Sequence, residues 1–89
     1  MELSDEMVAD LIRRLRRAEG QLRGIQQMLT ERRDCRDVVT QISAASKALD
    51  QVGFLLVAGG LEWCLANPDA AAEAGYDLAD VQKMFLKLA

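Results

Sequence analysis

There is no histidine anywhere in the 89 residues. That absence removes imidazole-based catalytic triads, imidazole metal ligands and imidazole pH switches. Cysteine is scarce as well. The two present cannot complete a four-ligand structural zinc site and are too few for a secreted disulfide framework. Aromatic residues make up 4% of the chain, and there is a single proline. The length leaves no room for a dinucleotide-binding domain, a barrel or a two-domain enzyme with a cleft, so residues 1–89 read as one domain. With no Cys-x-x-Cys and no cofactor motif, we expect neither an enzyme nor a bound cofactor.

A targeting segment is also missing. The acidic start, Met1 to Glu6, lacks the basic and apolar regions of a signal peptide. The longest apolar run, Val52 to Leu61, is interrupted by glycine and is too short to span a bilayer. The expected location is cytoplasmic, away from membranes, where cysteines stay reduced.

What the chain does have is Ala, Leu, Gln, Glu and Arg in quantity, which points to an all-α protein. Ser4 is a suitable N-cap for a first helix, with Asp5 and Glu6 in its first turn. Apolar residues then recur at Val8, Leu11, Leu15, Ala18, Leu22, Ile25 and Leu29, in steps of three and four. Gly20 and Gly24 on this helix are candidates for close approach of another helix. The polar stretch 30–34 forms a turn, and Asp34 caps a second helix. Its stripe runs Cys35, Val38, Ile42, Ala45, Leu49, Val52, Leu56, Gly59 or Gly60, and Trp63, and it stops at Asn67-Pro68. That is about 32 residues, or about 48 Å at 1.5 Å per residue. Residues 70–75 are left open. A third helix is expected from about Leu78 to Leu88, with Asp77 as N-cap and Asp80 completing a weak capping box.

So long a central helix needs more cover than so short a chain supplies. The simplest remedy is self-association, most often as a C2 dimer. The cysteines bear on this. Cys35 and Cys64 are 29 residues apart. On one helix such a step ends about 20° from its start and about 43 Å away. The two thiols then share a side but cannot meet within one chain, since a disulfide needs Cα atoms within about 7 Å. Two such helices packed antiparallel, crossing near Leu49 and Asp50, would set Cys35 of one beside Cys64 of the other. Two readings stay open: a pair of dithiol sites, or two small buried hydrophobes without a role. Cys35 has an extra feature, because a helix N-terminus and the adjacent Arg33 and Arg36 favour a thiolate.

Charge is unevenly placed. The net charge is −3, yet the segment from Arg13 to Arg36 carries eight arginines against three acids. This is either an anion-binding face or a solvated, salt-bridged one.

The stretches RLRRAEGQLRGIQQML (14–29), DCRDVVTQISAASKAL (34–49) and GLEWC (60–64) together closely resemble the CsoR/RcnR family of bacterial repressors. The likeness covers roughly residues 7 to 65 without gaps. It implies a three-helix protomer with a long central helix, an antiparallel dimer through that helix, and a dimer-of-dimers tetramer. It also implies a repressor that leaves its operator DNA when an inducer binds. In the copper sensors of the family, the resemblance implies a Cys–His–Cys site spanning two protomers. Its cysteines match Cys35 and Cys64, and its histidine falls on Gly60. The nickel and cobalt sensors need several histidines. The formaldehyde sensors use an N-terminal proline, where this chain has Glu2.

A cysteine pair without the histidine is similar to the persulfide-sensing, CstR-like branch. The reading is therefore a repressor that senses reactive sulfur, with sulfane sulfur donors as inducer. Cys35 would be the attacking thiol and Cys64 the resolving one. Two alternatives stand beside it: a copper(I) repressor with a cysteine-only site, and a helical oligomeric interaction protein that binds no DNA. For DNA contact, the arginine important in relatives matches Arg14, while a second basic position falls on Gln51. Arg13, Arg16, Arg17 and Lys47 are further candidates for phosphate contacts. Trp63 is either core or a cover over the Cys64 thiol. Tyr76 and Asp80 lie near where relatives place supporting residues.

Overall fold

The Ser4 hydroxyl accepts a hydrogen bond from the Met7 N–H at 3.1 Å, and this starts the first helix, α1, Asp5–Thr30. The computed structural model describes residues 2–89. A turn leads into α2, Cys35–Ala66, whose N-cap Asp34 accepts from the Arg36 N–H at 2.8 Å. The helix runs through Gly59 and Gly60 without a break and ends at Asn67. There the backbone leaves helical angles, and Pro68 has no N–H to continue the ladder. A short helix, α3, Pro68–Glu73, then occupies much of the segment that periodicity left open. The last helix, α4, Leu78–Leu88, opens with a full capping box between Asp77 and Asp80. Among the described residues there is no strand.

The same device closes α1 and α3. Arg33 N–H reaches the Met28 carbonyl while Arg32 N–H reaches Leu29, and Tyr76 N–H reaches Ala71 while Gly75 N–H reaches Ala72. This motif puts its penultimate residue in the left-handed region. Gly75 sits there at φ 82, and Arg32 sits there at φ 57.

α1 and α2 form an antiparallel hairpin. Ile25 packs with Val38 and Ala45 near the turn, and Leu3 and Met7 lie over Gly59 at the far end. α4 runs back along α2. The Phe54 and Phe85 rings stand 5.4 Å apart, and Leu88 closes on Gly53, where a Cβ would come within 2.8 Å of it. The expected close approach at Gly20 and Gly24 is not found within the chain. Nothing lies within 4 Å of a Cβ built at Gly24, and only the flexible end of Arg23 lies near Gly20. The glycines that admit a neighbour are on α2.

The apolar stripe of α1 divides in two. Leu11, Ala18 and Ile25, seven residues apart, are buried, whereas Val8, Leu15, Leu22 and Leu29 are exposed. α2 repeats the division, with Val38 and Ala45 buried and Ile42, Leu49 and Leu56 exposed. One row of each helix faces its own chain and the other faces outward. Cys35 begins the outward row of α2. By length and composition alone α2 is apolar enough to cross a membrane. The two rows account for that composition, one row buried within the chain and the other exposed. No described side chain is buried beyond 98%, and the molecule is a slab of 54 × 25 × 14 Å.

Candidate functional site

Cys35 is the first residue of α2 and is exposed. The adjacent cations are engaged with acids of their own: Arg33 lies 4.0 Å from Glu31, and Arg36 lies 4.0 Å from Asp34. Their charge at the thiol is therefore partly offset. Because α2 is continuous, Cys64 falls on the same side of the helix as Cys35, at its other end.

Cys64 is half-buried and opens on a cavity of about 290 Å³. Leu61 and Leu65 from α2, Ala71 from α3 and Val81 from α4 form walls of it, and Tyr76 and Asp77 close one side. One turn earlier, Gly60 is buried and brings no side chain to the thiol. Trp63 does not cover Cys64. It lines a separate recess with Leu3, Met7 and Gly59, on the α1 side of α2. Asp80 is spent on the helix cap, where its carboxylate accepts from the Asp77 N–H at 3.1 Å. Among the described residues, no three Cys, Asp or Glu side chains of one chain gather as a metal-binding group.

The arginine-rich part of α1 contains a second feature. Arg14, Arg17 and Gln21 face Ala48 and Gln51 across a groove of about 340 Å³ between α1 and α2. Thus Arg14 and Arg17 are brought beside Gln51 of α2. Lys47 is exposed, one residue before Ala48. Arg13 and Arg16 are exposed and lie outside the groove. Asp10 was not foreseen as part of this site. Its carboxylate accepts from Arg14 Nε at 3.0 Å and also from Arg13. The hydrogen bond from Arg14, with the charges of both arginines behind it, holds the Asp10 carboxyl below its ordinary pKa. The spacing of three and four residues carried that signal. Arg16 and Arg17 form no ion pair among the described residues.

Residues 8–87 match the family model for metal-sensitive transcriptional repressors. The copper-sensing transcriptional repressor RicR of Mycobacterium tuberculosis is 48% identical over 63 residues, which are 71% of this chain and 64% of that protein. The chain thus spans less than two thirds of that relative. The copper-sensing transcriptional repressor CsoR of Bacillus subtilis is 39% identical over 77 residues, 83% of this chain and 76% of that one. Among solved structures, the copper-sensing repressor CsoR with Cu(I) from Geobacillus thermodenitrificans superposes with a TM-score of 0.81 at 31% identity. That superposition covers 98% of this chain and 91% of the other.

Proposed function

The chain belongs to the metal-sensitive, CsoR/RcnR family of transcriptional repressors, and from that premise we propose that it is a cytoplasmic, DNA-binding repressor whose inducer is a sulfane sulfur species. In this reading residues 1–89 act as one domain. Two chains pair antiparallel through the outward rows of α1 and α2, and two pairs make a tetramer. Cys35 of each chain then lies beside Cys64 of its partner.

The observation that carries the reading is Gly60. In the copper branch the resemblance puts an imidazole there, between the two thiolates. Here the position is buried and has no side chain. The three-ligand set therefore does not fit. Two thiols without a third ligand suit sulfur exchange. A Cys35 thiolate attacks the outer sulfur of a persulfide R–S–S–H, giving Cys35–S–S–H and releasing R–S⁻. The partner's Cys64 thiolate then attacks the Cys35 sulfur, forming the interchain disulfide and releasing HS⁻. Where both cysteines carry the extra sulfur, their condensation leaves a trisulfide and hydrogen sulfide. Either bridge ties the ends of two long helices together and shifts the tetramer away from its DNA-binding shape. Arg14 and Arg17 in the groove, with Arg13, Arg16 and Lys47 around it, are the proposed phosphate contacts.

Mass spectrometry after polysulfide treatment, read beside operator release, tests this. An interchain Cys35–Cys64 bridge that forms as DNA is lost supports the proposal, and no bridge overturns it. One specific observation favours a second reading: both curated relatives above are copper-sensing. Two thiolates alone hold soft copper(I). An anaerobic titration against a strong copper(I) chelator separates the readings, because the sulfur reading expects the chelator to win. No observation favours an interaction protein without DNA.

A further inference from the structure

The cavity at Cys64 is built where the chain turns twice. Pro68 ends α2, and Gly75, at φ 82, turns the chain so that α4 returns beside it. What it encloses is apolar: Leu61, Leu65, Ala71 and Val81, with the Tyr76 ring at one side. No lysine or arginine lines it, and Asp77 is its one charged side chain. Asp77 accepts from the Asp80 N–H at 2.8 Å, a bond that stabilises the carboxylate. A ligand entering here meets hydrocarbon and one negative charge.

We infer that this cavity selects the donor: it holds the small apolar substituent R of a neutral R–S–S–H, and it disfavours anionic donors such as a peptide-thiol persulfide. The inference presupposes the sulfur reading above and adds the substrate class. Seated there, the donor presents its outer sulfur at the junction of Cys64 and Cys35 of the partner subunit. The partner's Cys35 thiolate takes that sulfur, the S–S bond breaks, and R–S⁻ departs from the cavity. An anionic donor must shed its hydration with no cation to receive it, beside a carboxylate that repels it. The volume of about 290 Å³ sits at the lower end of ligand pockets, roughly 300–1,000 Å³, and so suits a chain of a few carbons.

The test isolates Cys64 in the Cys35→Ser protein and measures its rate with butyl methanethiosulfonate and with the anionic sulfonatoethyl methanethiosulfonate. Each rate is divided by that of free cysteine with the same reagent. Burying a butyl group predicts a neutral-to-anionic ratio at least about tenfold above that of free cysteine. Ala72 is exposed on α3 and borders the cavity. Ala72→Lys supplies the missing cation and brings the ratio back toward that of free cysteine. Equal normalised rates in the Cys35→Ser protein overturn the inference, as does a ratio unmoved by Ala72→Lys. The sulfur reading is judged separately, by the polysulfide bridge in the unaltered protein. An apolar preference without that bridge upholds the cavity's selectivity and sinks the sulfur chemistry, so the two failures are distinguishable.

Discussion

Arg14 donates through Nε to Asp10 at 3.0 Å. Asp10 also takes Arg13, so one carboxylate occupies two of the guanidiniums proposed to contact DNA. A phosphate must compete with it. Asp10→Ala therefore binds operator and random DNA about two- to fivefold more tightly, the range expected when a surface ion pair is released. Its affinity also falls more steeply with salt. Arg14→Glu does the reverse. Fluorescence anisotropy across a salt series reads both. Equal affinity for Asp10→Ala and the unaltered protein at low salt would show that phosphates do not engage these arginines.

Acid sensitivity follows from two carboxylates. The hydrogen bond from Arg14 lowers Asp10, and the hydrogen bond from the Asp80 N–H lowers Asp77. A carboxyl lowered by folding contributes stability that is complete above its unfolded pKa and is lost as pH falls through the folded one. The melting temperature should hold steady down to the ordinary aspartate range and then drop. Asp77→Asn keeps a good N-cap and removes the titration. Combined with Asp10→Asn, it flattens the drop. Thermal melts between neutral pH and strong acid check this, and a drop of undiminished size in the double variant argues against it.

Arg32 holds a left-handed conformation that its counterpart in the second motif, Gly75, adopts freely. A side chain there costs energy that glycine avoids, offset in part by glycine's greater freedom when unfolded. Arg32→Gly should stabilise the protein by about 0.5–1 kcal/mol. Urea denaturation measures it, and a loss of stability would mean that the guanidinium does more than the backbone shows.

Leu49 is exposed in the outward row of α2, near where two such helices would cross. Leu49→Glu puts a charge at that crossing. It should dissociate the pair and leave a chain whose melting temperature no longer depends on protein concentration. Sedimentation velocity reads the first effect, and melts over a concentration series read the second. A variant that sediments like the unaltered protein would move the interface elsewhere.

The sequence announced the helix ends, because caps are local. Ser4, Asp34 and the Asp77–Asp80 box each need only neighbours within three residues. It also carried the helix lengths and the shared side of the two cysteines. The division of the apolar stripe was not legible. Leu11 and Leu15 are the same residue type at adjacent positions of one repeat, and only the packing of α2 decides which is buried. α3 escaped notice because six residues rich in alanine show no periodicity. The groove was half legible. Arg14 and Gln51 stood out, but their facing each other depends on the hairpin's register. The Cys64 cavity was not legible, since its walls come from three helices joined by turns whose directions the pattern does not encode.

One helix carries both thiols, at opposite ends and on one side. In the antiparallel pair proposed above, each thiol site would draw on two chains, which gives the proposal a genetics of its own. A chain without Cys35 is inert when paired with its own kind, and so is a chain without Cys64. Mixed together, they put both missing thiols at the same end of the pair. The other end is whole, so a mixed pair keeps one of its two sites, and two defective alleles complement each other in part.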